Sequence, residues 1–470
     1  MGLLTQHHRE SPPKQTWGIG LGVVVFSLAL IGLAPITQSL AKGTAPRGVW
    51  AQWRGPFGTG FSPNAQPPLR WSESKNIRWK AVIPGRGLST PIVWEDRILL
   101  TSAIAVGAKQ AERGGHSHGA HDNMPAVQRH QFVVLAINRK DGRILWQTQV
   151  REEQPHESTH VTGSWASASP ATDGERIYAF FGSYGLYCLD MNGAILWSHD
   201  LGDMKVKHGH GEGSSPVLYG DVLVVNWDHE GKSFVVAYDK ITGKERWRRS
   251  RNEITSWSTP TVVEFRGKAQ VIVSATDRVR GYDLETGAEI WSCGGLSHNV
   301  VASPVSADGF VYVTSSYEKR AMMAIRLDKA KGDVTGTDAV VWRRFHDTPY
   351  VPSPLLYGDQ LCFNRHLSGM LTCVDAKTGA TLYGPVKLPG IRRLYASPVG
   401  AAGRIYVVGR QGGGVVLEKG KQFKVLAQNK LNDVFSASPA VANNELYLRG
   451  EQYLYCIAEE TIDSPRLLTD

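Results

Sequence analysis

The sequence predicts an all-β fold, an eight-bladed β-propeller with four-stranded antiparallel blades. Three observations carry this. A Ser/Thr-Pro step followed by a short β-rich run recurs eight times, a motif of Asp or Asn, Gly and an aromatic residue closes most of the units, and 50 Gly, 24 Pro and 14 Trp accompany only 20% charged residues. Such a composition suits tight turns and aromatic-filled sheets better than helices.

In chain order, residues 1–41 come first. His7, His8, Arg9 and Lys14 precede an uncharged apolar run from Ile19 to Ala34, and Ser39-Leu40-Ala41 offers small residues for cleavage. This is the layout of a secretory signal. Counted from Trp17, the run is also long enough to be kept as a membrane anchor, since about 18 apolar residues span a bilayer. Either outcome exports residues 42–470, to the periplasm or the medium, with inner-membrane tethering if the segment is kept. The first cysteine is Cys188, so no N-terminal cysteine is available for a lipid.

An orphan strand, Asn76-Ile77-Arg78-Trp79-Lys80, follows. The units then start at Pro91, Pro170, Pro216, Pro260, Pro304, Pro354, Pro398 and Pro439. From Pro170 onward the spacing is 41 to 50 residues, the length of a four-stranded blade. The wider gap before Pro170 holds an insertion at about residues 104–130, with His116, His118, His121 and His130 among small residues. It reads as a mobile surface loop able to take up metal adventitiously.

Most units close as in Asp239-x-x-x-Gly243-x-x-x-Trp247, with variants at Asn138/Gly142/Trp146, Asp190/Gly193/Trp197, Asp283/Gly287/Trp291 and Asp375/Gly379/Tyr383. Asp or Asn bonds its own backbone at the strand end, and Gly takes the positive-φ corner. The ring then lies on the outer strand, where it fills the wedge between blades. The last unit ends at Tyr453-Leu454-Tyr455-Cys456-Ile457 without an outer strand of its own. The orphan N-terminal strand is expected to complete it and latch the ring.

Five cysteines without a C-x-x-C pair give no support to a zinc ribbon or a thioredoxin-like site. Cys362 and Cys373 either face each other across a hairpin as a disulfide, which an oxidising compartment permits, or are buried thiols. Net charge is +9, yet Lys and Arg are dispersed. That implies weak attraction to anionic surfaces and no specific nucleic-acid partner.

The Ala-x-Asp-x-x-x-Gly-x-x-x-Trp pattern and the eightfold count resemble the pyrroloquinoline-quinone-like (PQQ-like) propeller repeats. Quinoprotein alcohol dehydrogenases and the lipoprotein scaffold of the outer-membrane β-barrel assembly machine share them. The likeness covers roughly residues 49–460, and Trp50-Ala51-Gln52-Trp53-Arg54-Gly55-Pro56 also resembles the opening of a large bacterial group of exported propellers. It implies the fold, and much less about function. For a dehydrogenase the resemblance implies PQQ held by an adjacent-cysteine disulfide and a stacking Trp, a calcium or lanthanide ion on Glu and Asn, and an Asp base. This chain has no adjacent cysteines and no C-x-x-C-H haem site. Trp165, Trp257, Glu212, Asn299 and Asp228 are candidates for those roles, with no aligned motif behind them.

Functional residues are expected on the axial face, in the loops before each Ser/Thr-Pro and between the second and third strands. Those loops offer His156, His160, Trp165, His208, His210, Glu212, Ser256, Trp257, Asn299 and Tyr350, and then Tyr184, Trp227, Asp228, His229, Glu230, Tyr317, Glu318, Lys319, Arg320, Arg365 and His366. The densest cluster is His208, His210 and Glu212 with Asp228, His229 and Glu230. His208, His210 and His229 suit a divalent transition metal or acid–base work, or else the cluster hydrogen-bonds internally and plugs the channel mouth. The expectation is an exported binding or scaffold propeller whose axial face meets an envelope protein, a glycan or a small molecule. The alternatives are a PQQ dehydrogenase with calcium, or a metal-dependent enzyme.

Overall fold

The Ser/Thr of each Ser/Thr-Pro step is the structural hinge of the molecule. From the second blade onward its hydroxyl accepts the backbone N–H of the equivalent residue one blade earlier: Thr90 to Ser169, Ser169 to Ser215, Ser215 to Thr259, Thr259 to Ser303, Ser303 to Ser353, Ser353 to Ser397 and Ser397 to Ser438, at 2.9–3.3 Å. All eight residues are buried. A buried donor without a partner costs free energy, so this hydroxyl chain fixes neighbouring blades against each other around the axis.

The chain divides into a segment of residues 1–38 and a unit of residues 39–470. The computed structural model describes residues 48–114 and 119–459. The expected signal or anchor segment, His116 and His118 lie outside the described residues. Among those described, no helix is long and apolar enough to cross a membrane.

The eight repeats form eight antiparallel blades of four strands. Blade 3 is typical, running outward from the axis as Val217–Tyr219, Val222–Trp227, Ser233–Asp239 and Glu245–Arg251. The two middle strands carry the apolar core, and the outer strand is largely exposed.

The tryptophans join blades as expected. Trp247 lies against Gly287 of the next blade's turn, where a Cβ would sit 2.5 Å from the indole, and its Nε1–H donates to Leu284 O at 2.8 Å. Trp79, Trp146, Trp197 and Trp342 repeat this on Gly142, Gly193, Gly243 and Gly379, with indole N–H bonds to Arg139, Met191, Lys240 and Ala376 carbonyls. The turn glycine therefore serves two needs, positive φ and close approach of an indole. Trp291 differs. Blade 5 replaces the short turn by a longer excursion whose Gly332–Asp333 pairs in parallel with the outer strand of blade 4, and Trp291 bonds Gln270 in its own blade instead.

Closure follows the sequence. Ile77–Val82 is the outer strand of blade 8, antiparallel to Tyr453–Ala458. Arg139 of blade 1 secures the junction through Glu445 at 2.7 Å and Gly48 O at 3.0 Å. Cys362 faces Cys373 across the ladder of blade 6 and a disulfide joins them, while Cys188, Cys293 and Cys456 are buried thiols.

The described part of the insertion makes one short pairing with the body of the propeller. It leaves the long strand Arg97–Val106 of blade 1, and Asn123–Met124 then pairs with Thr159–His160 beside the axis before the chain re-enters the blade at Arg129–Asn138.

Candidate binding site in the axial cavity

Residues 50–56 cross the propeller axis. Trp50 pairs with Val93 of blade 1, Ala51 O accepts Thr172 N–H of blade 2, and Gln52 Oε1 accepts Leu218 N–H of blade 3. Trp53 Nε1–H donates to Ser303 Oγ of blade 5 at 2.9 Å. Arg54, 2% exposed, donates to the carbonyls of Pro354 and Pro398 at 2.7 and 2.9 Å. Among the described residues it has no carboxylate partner, and burial pushes its guanidinium down to about 9. Six blades thus hold this segment, and it closes the channel.

Above it lies a cavity of about 330 Å³, lined by Trp53 and by the loops that lead into the inner strands. The residue two before each Ser/Thr of the hydroxyl ring faces it in every blade: Leu88, Ser167, Gly213, Trp257, Val301, Val351, Tyr395 and Ser436. His121, His160, His210, Tyr317 and Tyr350 complete the mouth. The wall is therefore mostly aromatic and aliphatic, and ring hydroxyls such as Ser215, Thr259, Ser303, Ser397 and Ser438 reach it.

Of the sequence candidates, His160, His210, Trp257, Tyr317 and Tyr350 meet in this cavity. Glu212 lines it too, but its carboxylate turns back to accept the N–H and hydroxyl of Ser183, both at 2.6 Å. Gly182 is required there, since a Cβ would lie 1.3 Å from the Glu212 oxygen. Burial raises the Glu212 carboxyl to about 7 against those hydrogen bonds.

His366 stacks on Tyr350 with centroids 5.0 Å apart, and Asn299, at φ +57°, is buried behind the wall. Glu318, Lys319 and Arg320 are exposed. Arg365 sits 3.6 Å from Asp347. Trp165 stands back from the axial cavity, its ring against His130 and its Nε1–H on Glu157 O.

The dense histidine and acid cluster separates into parts. Asp228 forms a fully buried pair with Arg251, at 2.8 and 3.1 Å, and accepts Ser256 Oγ–H. His229 points elsewhere: its Nδ1 accepts Lys205 N–H at 3.0 Å and its Nε2 faces Lys232 O. The expected trio of His208, His210 and His229 therefore does not converge. The convergent imidazoles are His121, His160 and His210, with ring nitrogens within 4.8 Å of one another. His208, at φ +61°, has its ring 5.3 Å from that of His210. Burial, and then the neighbouring imidazoles, push His210 down to about 4, and burial with His121 nearby lowers His160.

Sequence reasoning missed Trp53, Tyr395 and the placement of His121. Trp53 and Tyr395 had a signal: one stands in the Trp50–Pro56 motif, the other in the same phase as Trp257. His121 had none, because only the pairing of Asn123–Met124 with Thr159–His160 brings it to the axis.

A sequence-family model described as outer membrane protein assembly factor BamB matches residues 69–226 and 130–384. No curated protein matches in sequence. Among solved structures, BamB from Moraxella catarrhalis is similar at 15% identity and TM-score 0.50, over 76% of this chain and 98% of its own. A europium-containing methanol dehydrogenase is similar at 11% identity and TM-score 0.57, over 85% and 89%. The quinohemoprotein alcohol dehydrogenase from Comamonas testosteroni gives 9% and 0.58, over 91% and 84%. At these identities the structures support the fold alone.

Proposed function

The chain belongs to the PQQ-like propeller family described as outer membrane protein assembly factor BamB, and on that premise we propose that it is an exported binding protein whose axial cavity takes a small carbohydrate. The observation that carries this is the cavity itself: about 330 Å³, floored by Trp53, walled by Trp257, Tyr317, Tyr350 and Tyr395, and supplied with ring hydroxyls. Its size falls in the range of small-molecule sites. A sugar offers apolar C–H faces to aromatic rings and hydroxyls to groups that both donate and accept. Arginine and lysine are missing from its described lining, which favours a neutral ligand over an anionic one. Export is supported by the apolar run Ile19–Ala34 behind a basic start and by the Cys362–Cys373 disulfide.

The residues do not fit the quinone and calcium of the dehydrogenases. Asp228 is neutralised by Arg251, and the Glu212 carboxylate is turned away onto Ser183. Neither is available as a base or as a calcium ligand, and no adjacent cysteines exist.

The test is a titration of neutral mono- and disaccharides followed by tryptophan fluorescence, on the unmutated protein and on Trp257→Ala. Saturable quenching that weakens at least about tenfold in the variant, roughly 1.4 kcal/mol, supports the reading. Absence of any response, together with an envelope protein that co-purifies through the exposed rim residues Glu318, Lys319 and Arg320, would replace it with the scaffold.

A further inference from the structure

We infer that His121, His160 and His210 form a three-imidazole site for one divalent transition-metal ion at the mouth of the axial cavity. Their ring nitrogens lie within 4.8 Å of one another. They come from three separate segments: the blade 1 insertion, the connection into blade 2 and the connection into blade 3. These segments are fastened together at this point. Asn123–Met124 pairs with Thr159–His160, and the Asn123 amide donates to Ser158 Oγ, His208 O and Gly209 O at 2.8, 2.8 and 3.1 Å.

The nitrogens are also chemically prepared. His210 Nε2 is buried with no hydrogen-bond partner among the described residues, and in the tautomer protonated on Nδ1 its lone pair is open to an ion. His160 Nδ1 lies 2.7 Å from Thr162 Oγ1 and 3.1 Å from Thr162 N. An ion on Nε2 selects the tautomer in which Nδ1–H donates to Thr162 Oγ1, as metal-ligating histidines commonly do to a neighbouring oxygen. The Thr162 N–H gives up that nitrogen when the ion binds.

An all-imidazole set suits zinc, copper, nickel or cobalt and disfavours calcium and magnesium, which want oxygen ligands. Tetrahedral zinc, with bonds of about 2.0–2.1 Å, needs nitrogens roughly 3.3 Å apart. Closing to that distance takes about 1 Å from each ring, and the His121 side chain is exposed and can swing. All three rings line the cavity, so the fourth coordination position opens into it. Asp122 and Arg410 are the charged groups that act on His160 from neighbouring loops. This site differs from the set suggested by sequence in using His121 and His160 in place of His208 and His229, and it stands independently of the carbohydrate reading.

The test uses the full chain stripped with chelator. Co²⁺ titration of the unmutated protein should give one equivalent with the intense visible bands of a tetrahedral ion, which Zn²⁺ displaces. Equilibrium dialysis with Zn²⁺ should show His160→Ala and His210→Ala weakened at least about 100-fold, and His346→Ala, at an exposed position outside the cluster, unchanged. No stoichiometric Co²⁺ spectrum, or Zn²⁺ affinity that survives His160→Ala and His210→Ala, overturns the site; the second result would assign the ion to the His-rich insertion. The cobalt spectrum needs no variant, so a misfolded mutant cannot obscure the answer. Saccharide quenching measured on the chelator-stripped protein reports separately on the carbohydrate reading.

Discussion

Asp228 stands among the polar residues that sequence alone offers for chemistry, and its environment predicts a different role. Its side chain and that of Arg251 are both 0% exposed. Two charge-assisted hydrogen bonds join them at 2.8 and 3.1 Å, Ser256 Oγ adds a third at 2.8 Å, and Tyr282 OH accepts from the same guanidinium at 2.7 Å. Asp228→Ala leaves a buried guanidinium without its carboxylate. Two unit charges about 4 Å apart interact by about 4 kcal/mol at an effective dielectric of about 20, and breaking one side of such a pair typically costs about 3–5 kcal/mol. The variant should therefore lose about 3–5 kcal/mol in urea unfolding, read by both fluorescence and far-UV circular dichroism so that coincident curves license a two-state free energy. The double replacement Asp228→Leu with Arg251→Met removes both charges and should recover most of the loss. A cost below about 1 kcal/mol for Asp228→Ala, or a double variant as unstable as the single, would refute the claim that this pair is a structural unit.

Other predictions follow from the same packing. Trp247→Ala should destabilise by about 3–5 kcal/mol in the same assay, because it empties the wedge over Gly287 and abandons Leu284 O. Ser303→Ala strands two donors, Thr259 N–H and Trp53 Nε1–H; it should cost about 1–3 kcal/mol per buried donor left unpaired, and Ser303→Thr should restore most of it. His130 is buried beside Trp165, and desolvation holds its imidazole below the ordinary value of 6.5. The unfolded chain takes up that proton first, so this stability is present above about pH 6.5 and is lost as pH falls through the lowered value. His130→Gln should flatten that acid-side loss in urea midpoints measured across the range.

Much of the fold was legible because its causes are local and repeated. Pro after Ser or Thr states a backbone need that holds in every blade, Gly three or four residues after Asp or Asn states one that holds in most, and the missing outer strand of the last unit called for Ile77–Val82. The family resemblance pointed to the same architecture. The cavity was half legible. Trp257 and Tyr350 stood in the expected loops, and Tyr395 shares the phase of Trp257 two residues before the hydroxyl ring, a periodicity visible in the sequence once the ring is known. The acid and histidine cluster misled because proximity in sequence does not give side-chain direction. Asp228 and His229 are consecutive, yet one turns inward to Arg251 and the other to the Lys205 N–H. His121 was illegible for a related reason, since a polar insertion carries no pattern to reveal which neighbour its backbone pairs with.

The most direct test of the central claim is hydrogen–deuterium exchange of the protein with and without a saturating saccharide identified by the fluorescence titration. The account predicts protection at the loops that carry His160–Gly163, His210–Gly213, Trp257, Tyr350–Val351 and Tyr395–Ser397, all around the axial cavity. Protection confined to the outer strands of the blades, with these loops unchanged, would contradict it.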